Sequence, residues 1–133
     1  RIAAQVAAQI AGQHKALALV TGDSLGQVAS QTLQNIRVIS QAVKLPILRP
    51  LIGFDKLEIV ALAKQLGTYE ISIKPYKDPC AMHARHPATW ARLKAVQDLE
   101  AELELDTVEH SAVIEETLAQ MELIEIEPEN DGP

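Results

Sequence analysis

ALALVTGDSLGQVASQ, residues 16–31, decides the fold: a short apolar run ends at Gly22 and passes through a polar turn into a helical pattern. A run of this length that closes on Gly22, Asp23 and Ser24 reads as a buried parallel strand delivering its carboxyl end to a loop. Open α/β sheets hold ligands at such ends. Gly22 and Gly26 lack a Cβ and let a ligand approach the backbone. Ser24, Gln27, Ser30 and Gln31 add hydroxyl and amide groups that donate to phosphate oxygens or to base and ribose edges. A helix starting beyond them aims free N–H groups back at the loop. The same residues also fit an ordinary strand-to-helix turn with a polar rim, and the pattern alone leaves both readings open.

Working outward, Ile2, Val6 and Ile10 form one apolar stripe of a helix ending at Gly12, with no capping residue ahead of it. That start reads as a fragment of a longer chain. Beyond the loop, Val28, Leu33, Ile36, Ile39 and Val43 predict a second amphipathic helix. PILRPL at residues 46–51 predicts a second strand with prolines at its margins. Asp55 with Glu58 three residues on is a capping box, opening a helix whose buried stripe is Ile59, Leu62, Ala63 and Leu66 and which stops at Gly67. Strand, helix, strand, helix is the alternation of a parallel α/β sheet.

Periodicity lapses over residues 68–87, TYEISIKPYKDPCAMHARHP. It resumes with Trp90, Leu93, Val96, Leu99 and Leu103, which predict a helix starting near Pro87. Asp106 is placed to cap a further helix through Val113 and Leu118, and residues 121–127 read as a final edge strand. The expected division is one domain over residues 1–127 and a disordered polar tail over 128–133.

At 133 residues and 47% hydrophobic content the chain supports one core, built with 3% aromatics mainly from Ile, Leu, Val and Ala. Its apolar runs are too short to span a bilayer, and the single cysteine, Cys80, excludes an internal disulfide and fits a reducing cytoplasm. The net charge of −6 hides a division. All 12 Lys and Arg lie within residues 1–94 against five acids, and the remaining thirteen acids lie beyond. A basic body with an acidic tail is compatible with an RNA backbone over part of its surface.

Cys80 stands among Lys74, Lys77, His83, Arg85 and His86, cationic neighbours that favour the thiolate, the form that attacks a persulfide or disulfide sulfur. The spacing of Cys80, His83 and His86 is also compatible with zinc, but a fourth ligand would have to be borrowed from Asp78 or His110, and no metal site is expected. His14 and His110 read as surface residues. Arg49, between two prolines, reads as a structural ion pair ahead of a phosphate or RNA contact. The run Glu100, Glu102, Glu104, Asp106 reads as a solvated face.

LVTGDSLGQVASQTLQN at residues 19–35, LPILRPLIGFDKLEIVALAKQLGTYEIS at 45–72 and Cys80 together resemble the tRNA 4-thiouridine synthase family, also called tRNA sulfurtransferase or ThiI-type, which serves thiamine biosynthesis too. The resemblance covers essentially the whole chain. It implies a Rossmann-like parallel sheet flanked by helices, of the PP-loop adenine nucleotide alpha hydrolase type. It also implies ATP, with Mg, adenylating a tRNA uridine before persulfide sulfur arrives from a cysteine desulfurase. The family's nucleotide contacts fall here on Gly22 and Gln31, and its domain cysteine on Cys80.

The phosphate-gripping PP-loop of the family is expected upstream and has no counterpart among the six glycines, so this chain alone is expected to be inactive. The family's RNA-binding modules and the appended rhodanese domain of some members have no counterpart here either. An upstream half missing from the sheet would leave an edge and apolar surface through which the chain self-associates. The alternative reading is a free-standing half-domain acting as a sulfur carrier or protein-interaction module.

Overall fold

The computed structural model describes residues 1–75, 88–102, 112–122 and 124. Its elements in chain order are α1 (Ile2–Gln13), β1 (Leu19–Val20), α2 (Leu33–Ser40), β2 (Ile47–Leu48), α3 (Lys56–Gln65), α4 (Tyr69–Ser72), α5 (Leu93–Glu102) and α6 (Ala112–Ala119). Strands β1 and β2 pair in parallel, Leu19 against Ile47 and Val20 against Leu48. Leu19 N–H donates to Pro46 O at 2.9 Å and Thr21 N–H to Leu48 O at 3.0 Å. A parallel pair requires a crossover, and α2 supplies it. The α/β alternation expected from the sequence is therefore present, and both strands deliver their carboxyl ends to the same side.

The strands are shorter than the apolar runs predicted. Residues 16–18 are drawn out of the first run, where Ala16 N–H donates to Ala11 O at 2.8 Å and closes the end of α1. At the second, prolines at 46 and 50 confine pairing to the residues between them.

Helix α1 packs on α6 and on β1, and α3 packs on α4. Among the described residues the buried apolar side chains are Ala11, Val38, Ala42 and Ile114, and they are joined by four buried polar residues, Gln5, Ser24, Asn35 and Glu100. Several predicted stripes fail at this level. Val28, Leu33 and Leu66 are exposed, and α3 buries no residue. The helix expected from Pro87 starts only at Leu93, with Trp90 and Leu99 exposed. Its buried residue is Glu100, which corrects the reading of that carboxylate as solvated.

The reason is Arg1. Its Nε and Nη2 donate to Glu100 Oε1 and Oε2 at 2.6 and 2.9 Å, and Nη1 donates to Val38 O at 2.7 Å. A bidentate guanidinium satisfies a carboxylate that would otherwise not tolerate burial, and the contact ties the start of α1 to α2 and α5. Met121, Glu122 and Ile124, the described part of the expected last strand, form no strand. Asp106, Leu103 and the expected tail lie outside the described residues.

The capping box is present as read. Asp55 Oδ1 accepts from Glu58 N–H at 2.9 Å while Glu58 Oε2 accepts from Asp55 N–H at 2.7 Å, and the chain leaves α3 through Gly67 at φ +71°. Asp55→Ala removes one of these bonds and should lower unfolding stability by about 1 kcal/mol in chemical denaturation, with an unchanged denaturant slope.

Candidate functional site

The loop after β1 is fixed from three directions. Asp23 Oδ2 accepts from Thr21 Oγ1 at 2.8 Å and from Arg49 Nε at 2.8 Å. Arg49 Nη2 also donates to Ser40 Oγ at 3.1 Å, so one guanidinium joins the loop after β1, the end of α2 and the segment after β2. Arg49 is thus the structural ion-pair residue its position indicated. Leu25 N–H donates to Ile52 O at 3.1 Å, and the buried Ser24 Oγ donates to Phe54 O at 2.8 Å. These bonds lace the two loops at the carboxyl ends of β1 and β2 together. Ser24, read from sequence as a ligand donor, is spent on the fold.

Gln31 closes the loop on itself. Its main-chain carbonyl accepts from Gly26 N–H at 2.9 Å, and its Oε1 accepts from Ser24 N–H at 3.4 Å. Among the described residues its Nε2 has no hydrogen-bond partner, which leaves an amide donor unspent at the cleft that Gln31 lines. Gly26 sits at φ +76°, a left-handed turn that glycine adopts without steric cost. Gly22 is different: its φ is ordinary, it is exposed, and a Cβ there would meet nothing within 4 Å. Neither packing nor backbone conformation requires a glycine at that position.

Helix α2 begins later than the sequence indicated, at Leu33, because Thr32 is its cap and accepts from Asn35 N–H at 3.2 Å. Asn35, which pattern reading overlooked, is the polar hub of this end. Its Nδ2 donates to Ser30 O at 2.8 Å and Ala88 O at 2.6 Å, and its Oδ1 accepts from Ala91 N–H at 2.8 Å. The signal available was the Thr32-x-x-Asn35 spacing, a helix cap followed by an amide at the first turn.

A cleft of about 520 Å³ opens beside this loop. Gln31, Ser30 and Asp23 line its loop side, Ile36, Ile39 and Val96 give it apolar walls, and Arg1 with Glu100 closes another side. The volume falls in the range of small-molecule sites. Gly22 is not part of the lining, although its neighbour Asp23 is. Both carboxylates at the cleft are neutralised in place, Asp23 by Arg49 and Glu100 by Arg1. Cys80 and its neighbours Lys77, Asp78, His83, Arg85 and His86 lie outside the described residues. Among the described residues no group of three His, Cys, Asp or Glu side chains gathers to hold a metal ion, and no helix is long and apolar enough to cross a membrane.

The sequence profile of the family described as "Thiamine biosynthesis protein (ThiI)" matches residues 1–105. The chain belongs to this family. It is 46% identical over 132 residues to a protein of Moorella thermoacetica named "Probable tRNA sulfurtransferase", covering 98% of this chain and 33% of that protein. A Thermus thermophilus protein of the same name is 55% identical over 100 residues, covering 74% of this chain and 25% of that one. Among solved structures, the fold is similar to that of "a 4-thiouridine synthetase - RNA complex with bound ATP", with a TM-score of 0.77 and 42% identity over 90% of this ThiI-family chain and 30% of the other. The chain thus spans about a third of the length of the relatives it matches.

The two loop glycines separate by their physical roles. Gly26→Ala should cost about 1 kcal/mol through its left-handed backbone, whereas Gly22→Ala should leave the denaturation midpoint unchanged.

Proposed function

We propose that this chain forms part of the nucleotide site of an ATP-dependent tRNA sulfurtransferase that makes 4-thiouridine and supplies sulfur for thiamine biosynthesis. The observation that carries the reading is the laced loop at the carboxyl ends of β1 and β2, opening onto a cleft of about 520 Å³, in a chain 42% identical to a 4-thiouridine synthetase whose structure holds RNA and ATP. ATP supplies the activation, converting the uridine O4 into an adenylate that leaves when sulfur takes its place.

The residues present fit the base and ribose end of such a nucleotide. Ile36, Ile39 and Val96 offer apolar walls, and Gln31 Nε2 is an uncommitted donor beside them. The triphosphate is a poorer match for these walls. The cleft's guanidinium, Arg1, is committed to Glu100 and Val38 O, and its two carboxylates contribute no net positive charge. Phosphate and Mg²⁺ contacts are assigned in this reading to residues other than those lining the described cleft. Gly22 leaves the backbone bare at the lip of β1, where close approach of a ligand explains a glycine that the fold does not need.

Cys80 carries or relays sulfur as a persulfide received from a cysteine desulfurase, and its cationic sequence neighbours support the thiolate form that this role requires. A cytoplasmic location agrees with an intracellular tRNA substrate. Leu17, Val20 and Leu48 are exposed beside the two-stranded sheet, which supports association of this face with further polypeptide, a second copy included.

In the whole gene product, Cys80→Ser should reduce 4-thiouridine formation in tRNA by about a hundredfold or more while ATP affinity stays within about twofold. Gly22→Ala should weaken ATP binding by about tenfold without loss of stability, and Gln31→Ala should weaken it by about tenfold while also costing about 1 kcal/mol of stability, because the bond from Ser24 N–H is lost. Full thiolation by the Cys80→Ser protein, or unaltered ATP affinity in both loop variants, would contradict these assignments.

A further inference from the structure

A second cleft, of about 310 Å³, lies against the first. It is lined by Gln34 and Arg37 from α2, by Gln41 just after it, by Trp90 and Arg92 just before α5 and by Leu93 at its start, and Val38 and Ala91 line both clefts. Trp90, the chain's single tryptophan, is 67% exposed. A tryptophan this exposed contributes little to a core, yet its position is built with care.

The segment that presents Trp90 is held at three points. Thr32 Oγ1 donates to Thr89 O at 2.8 Å, and Asn35 grips Ala88 O and Ala91 N–H on either side at 2.6 and 2.8 Å. The indole is therefore offered from a fixed backbone rather than from a loose one. Arg37 and Arg92 are exposed, and among the described residues neither guanidinium has a carboxylate partner. Nearby Lys94, in contrast, is paired with Asp98 at 3.0 Å. Among the described residues the lining contains no acidic side chain. An aromatic face flanked by two free guanidinium groups and two amides is the combination that holds single-stranded nucleic acid, with a base stacked on the ring and phosphates on the arginines.

We propose that this cleft holds an unpaired nucleotide of the RNA substrate, its base stacked on Trp90 and its adjoining phosphates paired with Arg37 and Arg92. The shared wall of Val38 and Ala91 sets this contact directly beside the cleft assigned to the nucleotide. An RNA strand anchored on Trp90 then has its neighbouring residues within short reach of the site of activation. The inference rests on the tRNA-directed reading above and deepens it by naming where this chain touches the RNA.

The test is tRNA binding by the whole gene product, measured by fluorescence anisotropy over a range of salt concentrations, with ATP affinity measured in parallel. Trp90→Ala should weaken tRNA binding by about tenfold, and Trp90→Phe should restore most of it. Arg37→Gln with Arg92→Gln should reduce the slope of log affinity against log salt by about 1.4, the value for two lost single-strand phosphate contacts. Lys94→Ala, whose charge is already offset by Asp98, should leave affinity within about twofold. ATP affinity should be unchanged in every variant.

Wild-type tRNA affinity in both the Trp90→Ala and the double arginine protein would overturn the proposal while leaving the enzymatic reading intact. Failure of the unmodified protein to bind tRNA at all would overturn both. A Trp90→Ala protein that keeps its tRNA affinity but loses a protein partner would assign the cleft to protein recognition and overturn the RNA contact.

Discussion

One guanidinium holds the carboxyl ends of the two paired strands together. Two strands of two residues each cannot set the position of two loops, because the few backbone bonds between them contribute only about 1 kcal/mol apiece. Arg49 supplies what the sheet lacks by joining Asp23 to Ser40 Oγ across the parallel pair. The ion pair is mostly buried, with side-chain exposures of 12% and 23%, so its loss would strand a charge in a partly desolvated place. The bonds from Ser24 and Leu25 to the opposite loop complete the lacing. The candidate cleft exists because these loops are held.

A similar device organises the far side. Arg1 and Glu100 form a bidentate pair at about one-tenth exposure each, and they join α1, α2 and α5 around the same cleft. The cleft is consequently bounded by two matched ion pairs instead of free charge. That electrostatic neutrality favours the uncharged end of a nucleotide over its phosphates, and it accords with a protein in which other segments handle the anionic part.

Local chemistry was legible in the sequence where it depended on near neighbours. The capping box of Asp55 and Glu58, the glycine stop of α3 and the order of strands and helices follow from residues close together or from simple alternation. Burial was less legible, because it depends on what a face meets. Trp90, Leu33 and Leu66 have the spacing of core residues and remain exposed, while Glu100 has the spacing of surface and is buried by a partner 99 positions away. Asn35 carries little local signal of its role for the same reason: that role lies in bonds to Ala88 and Ala91, more than 50 residues on. Gly22 and Gln31, which we propose as nucleotide contacts, stand out in the sequence as a loop pattern and through a family resemblance, and the ThiI family match over residues 1–105 places the chain in the family that resemblance named.

The most direct measurement is a crystal structure of the whole gene product with a non-hydrolysable ATP analogue. The account predicts the adenine and ribose at the carboxyl ends of β1 and β2, against Gly22, the Gln31 amide and the apolar wall of Ile36 and Ile39. An analogue bound at a distance from this loop, with Gly22 and Gln31 untouched, would contradict it.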